Sequence, residues 1–342
     1  MPNPKLEFFQ FKLKHTSGES RTFRDFMLQT GKATTRQSDK TIFYSLYRYF
    51  MERPKTNFEQ NNSLKKVVTL IVNVGRKKVN KHFDKRPQPK EKHIISGVLN
   101  GGGFGNDRIL SDLNKKEASS NIRPNQPVLQ YYYIFVYLPL EHDTGFMMVH
   151  SDSEESITQA MRAYISALFN IGDFRKPLFT SFVPKVFRDE YKNGATITSL
   201  TFLNNDIGAN IPDDHPLKSF ISELDVRITL TPKGHDADLS MLEQFKSFFG
   251  LRRFGTDAYN RSLDEFEHCK VSTKNKDTST TKVFDWNDRD QELQPVVYLK
   301  NRVELEPDGS PNFVSLDTFC MDLFQNHILQ EIRPDLNVER VD

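Results

Sequence analysis

Ten cationic side chains lie within residues 64–92, and clustered cations bind polyanions. They are Lys65, Lys66, Arg76, Lys77, Lys78, Lys81, Lys85, Arg86, Lys90 and Lys92. Only Asp84 and Glu91 oppose them, whereas the whole chain carries a formal net charge of +2. We predict that these cations neutralise the phosphates of DNA or RNA, and that His82 and Phe83 are able to stack on bases. A solvated loop between two strands is the alternative interpretation.

A glycine-rich stretch, GGGFG at residues 101–105, follows the basic segment. Its backbone amides could approach an anion closely. It lacks the GK[ST] sequence of a P-loop, and Asn106 occupies the place of the third glycine in a dinucleotide-binding fingerprint. We therefore expect a flexible turn or bulge here.

The sequence HSD at residues 150–152 has the spacing of two ligands in a facial iron triad. His215 or His235 would supply the third ligand, and Arg227 follows downstream. A capping role at the start of a helix is the favoured explanation of Asp152, because its carboxylate accepts hydrogen bonds from the first free amides. We therefore expect neither a metal ion nor a cofactor.

A metal-dependent nuclease is the alternative enzymatic function. Glu190 and Lys192, with Asp173 upstream, are residue types that such a nuclease arranges around its metal on a strand. The surrounding residues 186–194 are instead typical of a helix end or turn, where charged residues are ordinary. No GxSxG nucleophile motif occurs. A non-enzymatic role is favoured, and whether the protein is an enzyme stays open.

The elements that must position these residues are clearest in the middle of the chain. Residues 131–138 form an unbroken apolar run that predicts a strand covered on both faces, and residues 146–149 predict a second strand. Apolar residues then recur at spacings of three and four over 157–169, which predicts a helix. Residues 151–155 match a capping box at the start of this helix.

Strands and helices are also predicted in the rest of the chain. Further strands are predicted at residues 6–14, 67–74, 93–99, 195–203, 224–231, 283–286 and 296–303. Further helices are predicted at residues 23–28, 239–249 and 316–328, and residues 41–51 form either a helix or a strand pair. Residues 75–92, 109–129 and 271–282 are predicted to be a basic arm, an exposed connection and a mobile loop.

These elements predict an α+β fold with mainly antiparallel sheets and packed amphipathic helices. The length of the chain favours two subdomains, residues 1–175 and 176–342. Cys269 and Cys320 form no CxxC pattern, as is typical of thiols in a reducing compartment. The first residues show no basic-then-apolar signal, and no apolar run approaches the length of a membrane span. We expect a cytoplasmic protein that does not bind a membrane.

The middle of the chain combines HIISG at residues 93–97, Asp107, YYYIFVYLP at 131–139 and GFMMVHS at 145–151. With this combination, residues 93–202 resemble uncharacterised bacterial proteins of phage-defence and mobile-element gene clusters. The resemblance implies a bacterial cytoplasmic protein that acts in antiviral defence, and it implies no site residues.

The basic segment and the resemblance together predict a nucleic-acid-binding component of a bacterial anti-phage or mobile-element system, with DNA or RNA as its partner. Besides the nuclease, the alternative is a protein-interaction or assembly subunit that binds a protein partner or a second copy. Exposed strand edges or the aromatic residues Phe248, Phe249 and Phe254 would form that surface.

Overall fold

The structure is a computed structural model, and it describes most of the chain in several ranges. These are residues 3–70, 85–112, 114–152, 156–204, 226–233, 237–238, 253–254, 261–262, 268–275, 281–285 and 296–336. Helices and mostly antiparallel sheets make up these ranges, which confirms the predicted α+β class. None of the helices in them is long and apolar enough to cross a membrane.

The strands and helices are numbered in chain order. The strands are β1 Lys5–His15, β2 Glu59–Asn61, β3 Lys66–Thr69, β4 Gln88–Lys90, β5 Ile94–Gly103, β6 Arg108–Asp112, β7 Lys115–Ile122, β8 Val128–Tyr137, β9 Thr144–Ser151, β10 Phe174–Ser181, β11 Ala195–Asn204, β12 Val226–Leu230, β13 Ala237–Asp238, β14 Arg253–Phe254, β15 Arg261–Ser262, β16 His268–Asn275, β17 Thr281–Asp285 and β18 Val297–Tyr298. The helices are α1 Phe23–Gln29, α2 Asp39–Thr56, α3 Thr158–Phe169, α4 Lys185–Gly194, α5 Phe313–Leu323 and α6 Leu329–Ile332. A π-helical turn, Phe324–Ile328, joins α5 to α6.

The chain divides into two compact units. The first consists of Met1–Phe182 and Val297–Asp342, and the second is Val183–Val296. The predicted division into residues 1–175 and 176–342 stays a prediction about independently folding domains. The compact units differ from it because β18 pairs with β1, which returns the end of the chain to the first unit.

The first unit is built on a nine-stranded antiparallel sheet. Its order is β10-β1-β9-β8-β5-β3-β2, with β4 also paired to β5 and β18 to β1. Strand β8 is buried on both faces from Tyr132 to Tyr137, which confirms the strand predicted from its unbroken apolar run. Each large apolar side chain buried in this way stabilises the fold by about 1.5–3 kcal/mol.

Helices α1, α2 and α3 cover one face of this sheet. There Phe169 of α3 packs edge-to-face on Phe26 of α1, with ring centroids 4.9 Å apart. The sequence left residues 41–51 as either a helix or a strand pair. They lie inside α2 and are therefore helical. The π-helical turn covers the other face, where the ring of Phe324 lies 5.0 Å from Phe135 and 4.9 Å from Tyr137.

The capping box predicted for α3 is wrong. Ser151 belongs to β9, where it pairs with Lys5 of β1, so the strand continues past the predicted cap. The helix begins at Thr158, and Ile157 before it makes no side-chain cap. The hydroxyl of Ser156 accepts a hydrogen bond from the Thr158 amide at 3.1 Å instead.

The glycine-rich stretch forms the expected turn only at its end, where Gly105 lies in a bend with φ +95°. Gly101, Gly102 and Gly103 form the end of β5 and pair with β3 and β8. A Cβ atom at Gly102 would lie 1.7 Å from the carbonyl oxygen of Val128. Glycine is therefore required because the backbone of β8 approaches this strand too closely for any side chain.

Residues 109–129, predicted to be an exposed connection, are exposed at most of their described positions, but they form a β-ribbon followed by the start of β8. Strands β6 and β7 form a separate two-stranded sheet, in which Arg108 pairs with Ile122 and Leu110 with Ser120. Consecutive polar Ser, Asn and Lys residues in β7 hide the strand signal, because they break the alternation of apolar and polar residues.

In the second unit, β11 lies between β12 and β16, and β17 pairs with β16. The mobile loop predicted at 271–282 is therefore wrong for its described residues, which belong to β16 and β17. Val271 and Thr273 are fully buried, and the Thr273 hydroxyl lies 2.9 Å from that of Tyr191 on α4. The helix predicted at 239–249 lies outside the described residues.

Candidate nucleic-acid interface

Six of the ten predicted site residues lie in the part of the chain that the structure describes. These are Lys65, Lys66, Lys85, Arg86, Lys90 and Lys92. The other four, and the two residues predicted to stack on bases, lie outside the described residues. They are Arg76, Lys77, Lys78, Lys81, His82 and Phe83.

The six described cations are distributed along one edge of β5. Strand β8 pairs with β5 over its whole length, so β3 and β4 both pair with the opposite edge. Lys66 of β3 pairs with Gly103, whereas Lys90 of β4 pairs with Ile94 at the other end. At a rise of about 3.3 Å per residue these two ends are about 30 Å apart. The six cations therefore do not form one compact patch.

Lys90 is engaged inside the fold. Its ammonium group forms an ion pair with the carboxylate of Asp317 on α5. The same carboxylate accepts hydrogen bonds from the hydroxyls of Ser96 at 2.7 Å and Tyr133 at 2.8 Å. Burial raises the pKa of Tyr133 well above its ordinary value, so this hydroxyl stays a neutral donor. An ammonium held in this way is poorly placed to neutralise a phosphate.

Lys85 and Arg86 cross the middle of β5 at Gly97. Gly97 has φ +149°, and a Cβ atom there would lie 2.6 Å from the Lys85 carbonyl oxygen and from the Arg86 carbonyl carbon. The next residue, Pro87, accepts a hydrogen bond of 3.0 Å from the Tyr47 hydroxyl of α2. Lys92 is exposed in the turn between β4 and β5, with φ +56°. The backbone of Lys85 and Arg86 therefore packs closely on β5 at Gly97.

Lys65, Lys66 and Arg108 come together at the other end of β5. A Cβ atom placed on Gly103 would lie 3.6 Å from Nη2 of Arg108 and 4.0 Å from Nζ of Lys66. The Nζ atom of Lys65 lies 5.6 Å from the ring centroid of Phe104, whose amide donates to the Lys65 carbonyl at 3.0 Å. We call these three cations the basic cluster.

The basic cluster has no acidic counterpart within the described ranges. None of its three members forms an ion pair there, and Lys65 and Arg108 are exposed. The positive charges of the cluster repel each other. An anion bound near them is attracted by all of these charges and offsets their repulsion. The arrangement is suited to a phosphate group that contacts these cationic side chains.

Arg108 was not among the predicted site residues. It lies outside the basic segment in sequence and reaches Lys66 only because β3 pairs with the end of β5, after which the chain turns into β6. The sequence carries no local signal for this meeting, because the pairing of β3 with β5 joins residues that are far apart in the chain.

The HSD pattern at residues 150–152 forms an incomplete site. Nε2 of His150 lies 3.5 Å from Oδ1 of Asp152, and neither ring nitrogen of His150 makes a hydrogen bond within the described structure. The ring of Phe313 on α5 packs 6.1 Å from the imidazole. His215 and His235 lie outside the described residues, and no group of three possible metal ligands occurs within them.

The nuclease pattern lies on a helix. Residues 190–192 are part of α4, where successive positions are about 100° apart around the axis, so Glu190 and Lys192 do not share a face. Tyr191 between them is buried in the core of the second unit. For the assembly alternative, Phe248 and Phe249 lie outside the described residues. Both alternatives stay predictions.

Comparisons of the chain with protein-family models, with curated proteins and with solved structures find no match.

Proposed function

We propose that the protein binds nucleic acid, and that the basic cluster of Lys65, Lys66 and Arg108 contacts its phosphates. The observation that carries the proposal is the approach of two cationic groups, from Lys66 and Arg108, to the same glycine. A third cation, Lys65, precedes Lys66 in the chain and lies near the ring of Phe104, and the described structure gives none of the three an acidic partner.

The physics of phosphate binding supports this proposal. Cations that replace the counterions of a nucleic acid release those ions to solution, and the affinity falls steeply as salt rises. Gly103 contributes no side chain and is itself buried, so a phosphate group is expected to contact the side chains of Lys66 and Arg108 and not the strand backbone. Guanidinium groups such as that of Arg108 bind phosphate oxygens with two parallel hydrogen bonds.

The proposal modifies the surface that the sequence predicted. Lys90 is left out because Asp317 engages its ammonium group. Lys85, Arg86 and Lys92 lie farther along the same edge of β5 and stay predicted phosphate contacts. The resemblance to proteins of phage-defence and mobile-element clusters supports a role for this binding in a bacterial antiviral or mobile-element system in the cytoplasm.

The proposal is tested by reversing the charge of the basic cluster. A variant with Lys65→Glu, Lys66→Glu and Arg108→Glu is titrated against fluorescent DNA and RNA at fixed ionic strength. Because three phosphate contacts become repulsive, we expect the affinity to fall by about tenfold or more.

A matched variant controls for net charge. Lys14→Glu, Lys176→Glu and Lys300→Glu change the total charge by the same amount at exposed positions of the same unit. This variant should retain most of the wild-type affinity. An equal loss in the two variants, with equal melting temperatures, would show that binding follows net charge and not the basic cluster.

A further inference from the structure

The ribbon of β6 and β7 begins at the basic cluster and pairs with no other described strand. Arg108, a member of the cluster, is the first residue of β6. The eight residues of β7 span about 26 Å at about 3.3 Å per residue. An isolated two-stranded ribbon is marginally stable in water, so a ribbon of this length is expected to gain order from what it binds.

Two aliphatic side chains of the ribbon face solvent. Ile109 is 73% exposed and Leu110 is 62% exposed, which makes them the two most exposed large apolar residues of the described chain. As neighbours in a strand they point to opposite faces of the ribbon. Each face of the ribbon therefore presents one apolar group beside polar ones.

Four other exposed residues of the ribbon have the chemistry of a nucleic-acid reader. Exposed Ser111, Ser119, Ser120 and Asn121 are uncharged donors and acceptors of the kind that contact base edges. Aliphatic side chains contact the methyl group of thymine in the major groove. The basic cluster at the base of the ribbon would fix it against the phosphates on the groove wall.

We infer that the ligand is double-stranded DNA and that the β6–β7 ribbon lies in its major groove, an inference that rests on the nucleic-acid binding proposed above. The major groove of B-form DNA is about 12 Å wide and admits a two-stranded ribbon. The major groove of an RNA duplex is too narrow and deep for side chains to read. Proteins that hold single strands stack bases on aromatic side chains, and residues 108–122 contain none.

The experiment compares four probes on the full chain at one ionic strength. The probes are a short DNA duplex, an RNA duplex of the same sequence, and the single strands of each. We expect the wild-type chain to bind the DNA duplex about tenfold tighter than the other probes. The variant Ile109→Ser with Leu110→Ser should lose most of this preference and keep the wild-type melting temperature, because both residues are exposed.

A control variant removes exposed apolar groups elsewhere in the same unit. Leu178 and Val314 are 53% and 57% exposed, so Leu178→Ser with Val314→Ser should keep both affinity and preference. Equal affinity for all four probes, or a ribbon variant that binds like wild type, would overturn the inference and leave nucleic-acid binding intact. A wild-type chain that binds none of the probes would overturn both proposals.

Discussion

Lys90 of β4 and Asp317 of α5 form an ion pair that joins α5 to the sheet. The Asp317 carboxylate also holds the hydroxyls of Ser96 and Tyr133, so one side chain satisfies groups from β4, β5 and β8. The pair gives the basic segment two roles. Its end at Lys90 stabilises the fold, whereas its beginning at Lys65 and Lys66 belongs to the basic cluster.

Removing the acceptor at the centre of this network should destabilise the protein. The variant Asp317→Ala leaves the fully buried Tyr133 side chain and the Ser96 hydroxyl without their acceptor, and Lys90 without its counterion. We expect the free energy of unfolding in urea to fall by about 2–4 kcal/mol. Asp322 is exposed on the same helix, so Asp322→Ala should cost about 0.5 kcal/mol or less. Equal losses in the two variants would contradict the role assigned to Asp317.

Two lysines of the basic segment should respond in opposite ways to truncation. Lys90→Ala breaks the ion pair with Asp317 and should lower the melting temperature while nucleic-acid affinity stays within about twofold. Lys66→Ala should lower the affinity and leave the melting temperature nearly unchanged, because Lys66 has no ion pair within the described ranges. If Lys90→Ala lost as much affinity as Lys66→Ala, Lys90 would have to be counted among the residues that contact nucleic acid.

Two neighbouring glycines of β5 should differ sharply in their tolerance of alanine. Gly102→Ala places a Cβ atom 1.7 Å from the Val128 carbonyl oxygen, so the pairing of β5 with β8 must shift. We expect it to cost about 3 kcal/mol or more, measured by chemical denaturation. Gly103→Ala meets nothing closer than 3.6 Å and should change stability by about 1 kcal/mol or less. Similar stabilities for the two variants would mean that β8 does not approach β5 as described.

Glu7 should make stability depend on pH in the acid range. Burial raises the pKa of Glu7, but hydrogen bonds from Thr158 and Lys5 outweigh burial, so the pKa lies below its ordinary value of 4.5. A carboxyl group whose pKa is lowered by folding stabilises the protein above its unfolded pKa, and this stabilisation is lost as the pH falls through the folded value. Glu7→Gln should therefore flatten the decline in melting temperature below about pH 4.5. The same decline in wild type and variant would exclude Glu7 as its source.

The strands and helices that the sequence predicts correctly are those in which apolar residues form an unbroken run or recur at a regular spacing. The apolar run from Tyr132 to Tyr137 predicts a strand covered on both faces, and the spacing of apolar residues from Ile157 to Phe169 predicts a helix. The start of α3 was missed because the pairing of Ser151 with Lys5 involves distant parts of the sequence. Local cap chemistry does not reveal such a pairing.

The candidate site was predictable only in part, for the same reason. The excess of charge identified Lys65 and Lys66, but the register of β3 against β5 decides that Arg108 joins them. Charge alone could not separate Lys90 from this group, because its partner Asp317 lies near the other end of the chain. Composition thus locates an excess of cations, and strand pairing decides which of them lie at the same end of β5.

The salt dependence of binding tests the basic cluster most directly. The logarithm of the binding constant for duplex DNA is measured against the logarithm of salt concentration, for wild type and for Lys66→Ala with Arg108→Ala. Each lost phosphate contact lowers the steepness of this line by about one, so the double variant should show a slope shallower by about two. A variant with the wild-type slope would contradict the account, because these two cations would then touch no phosphate.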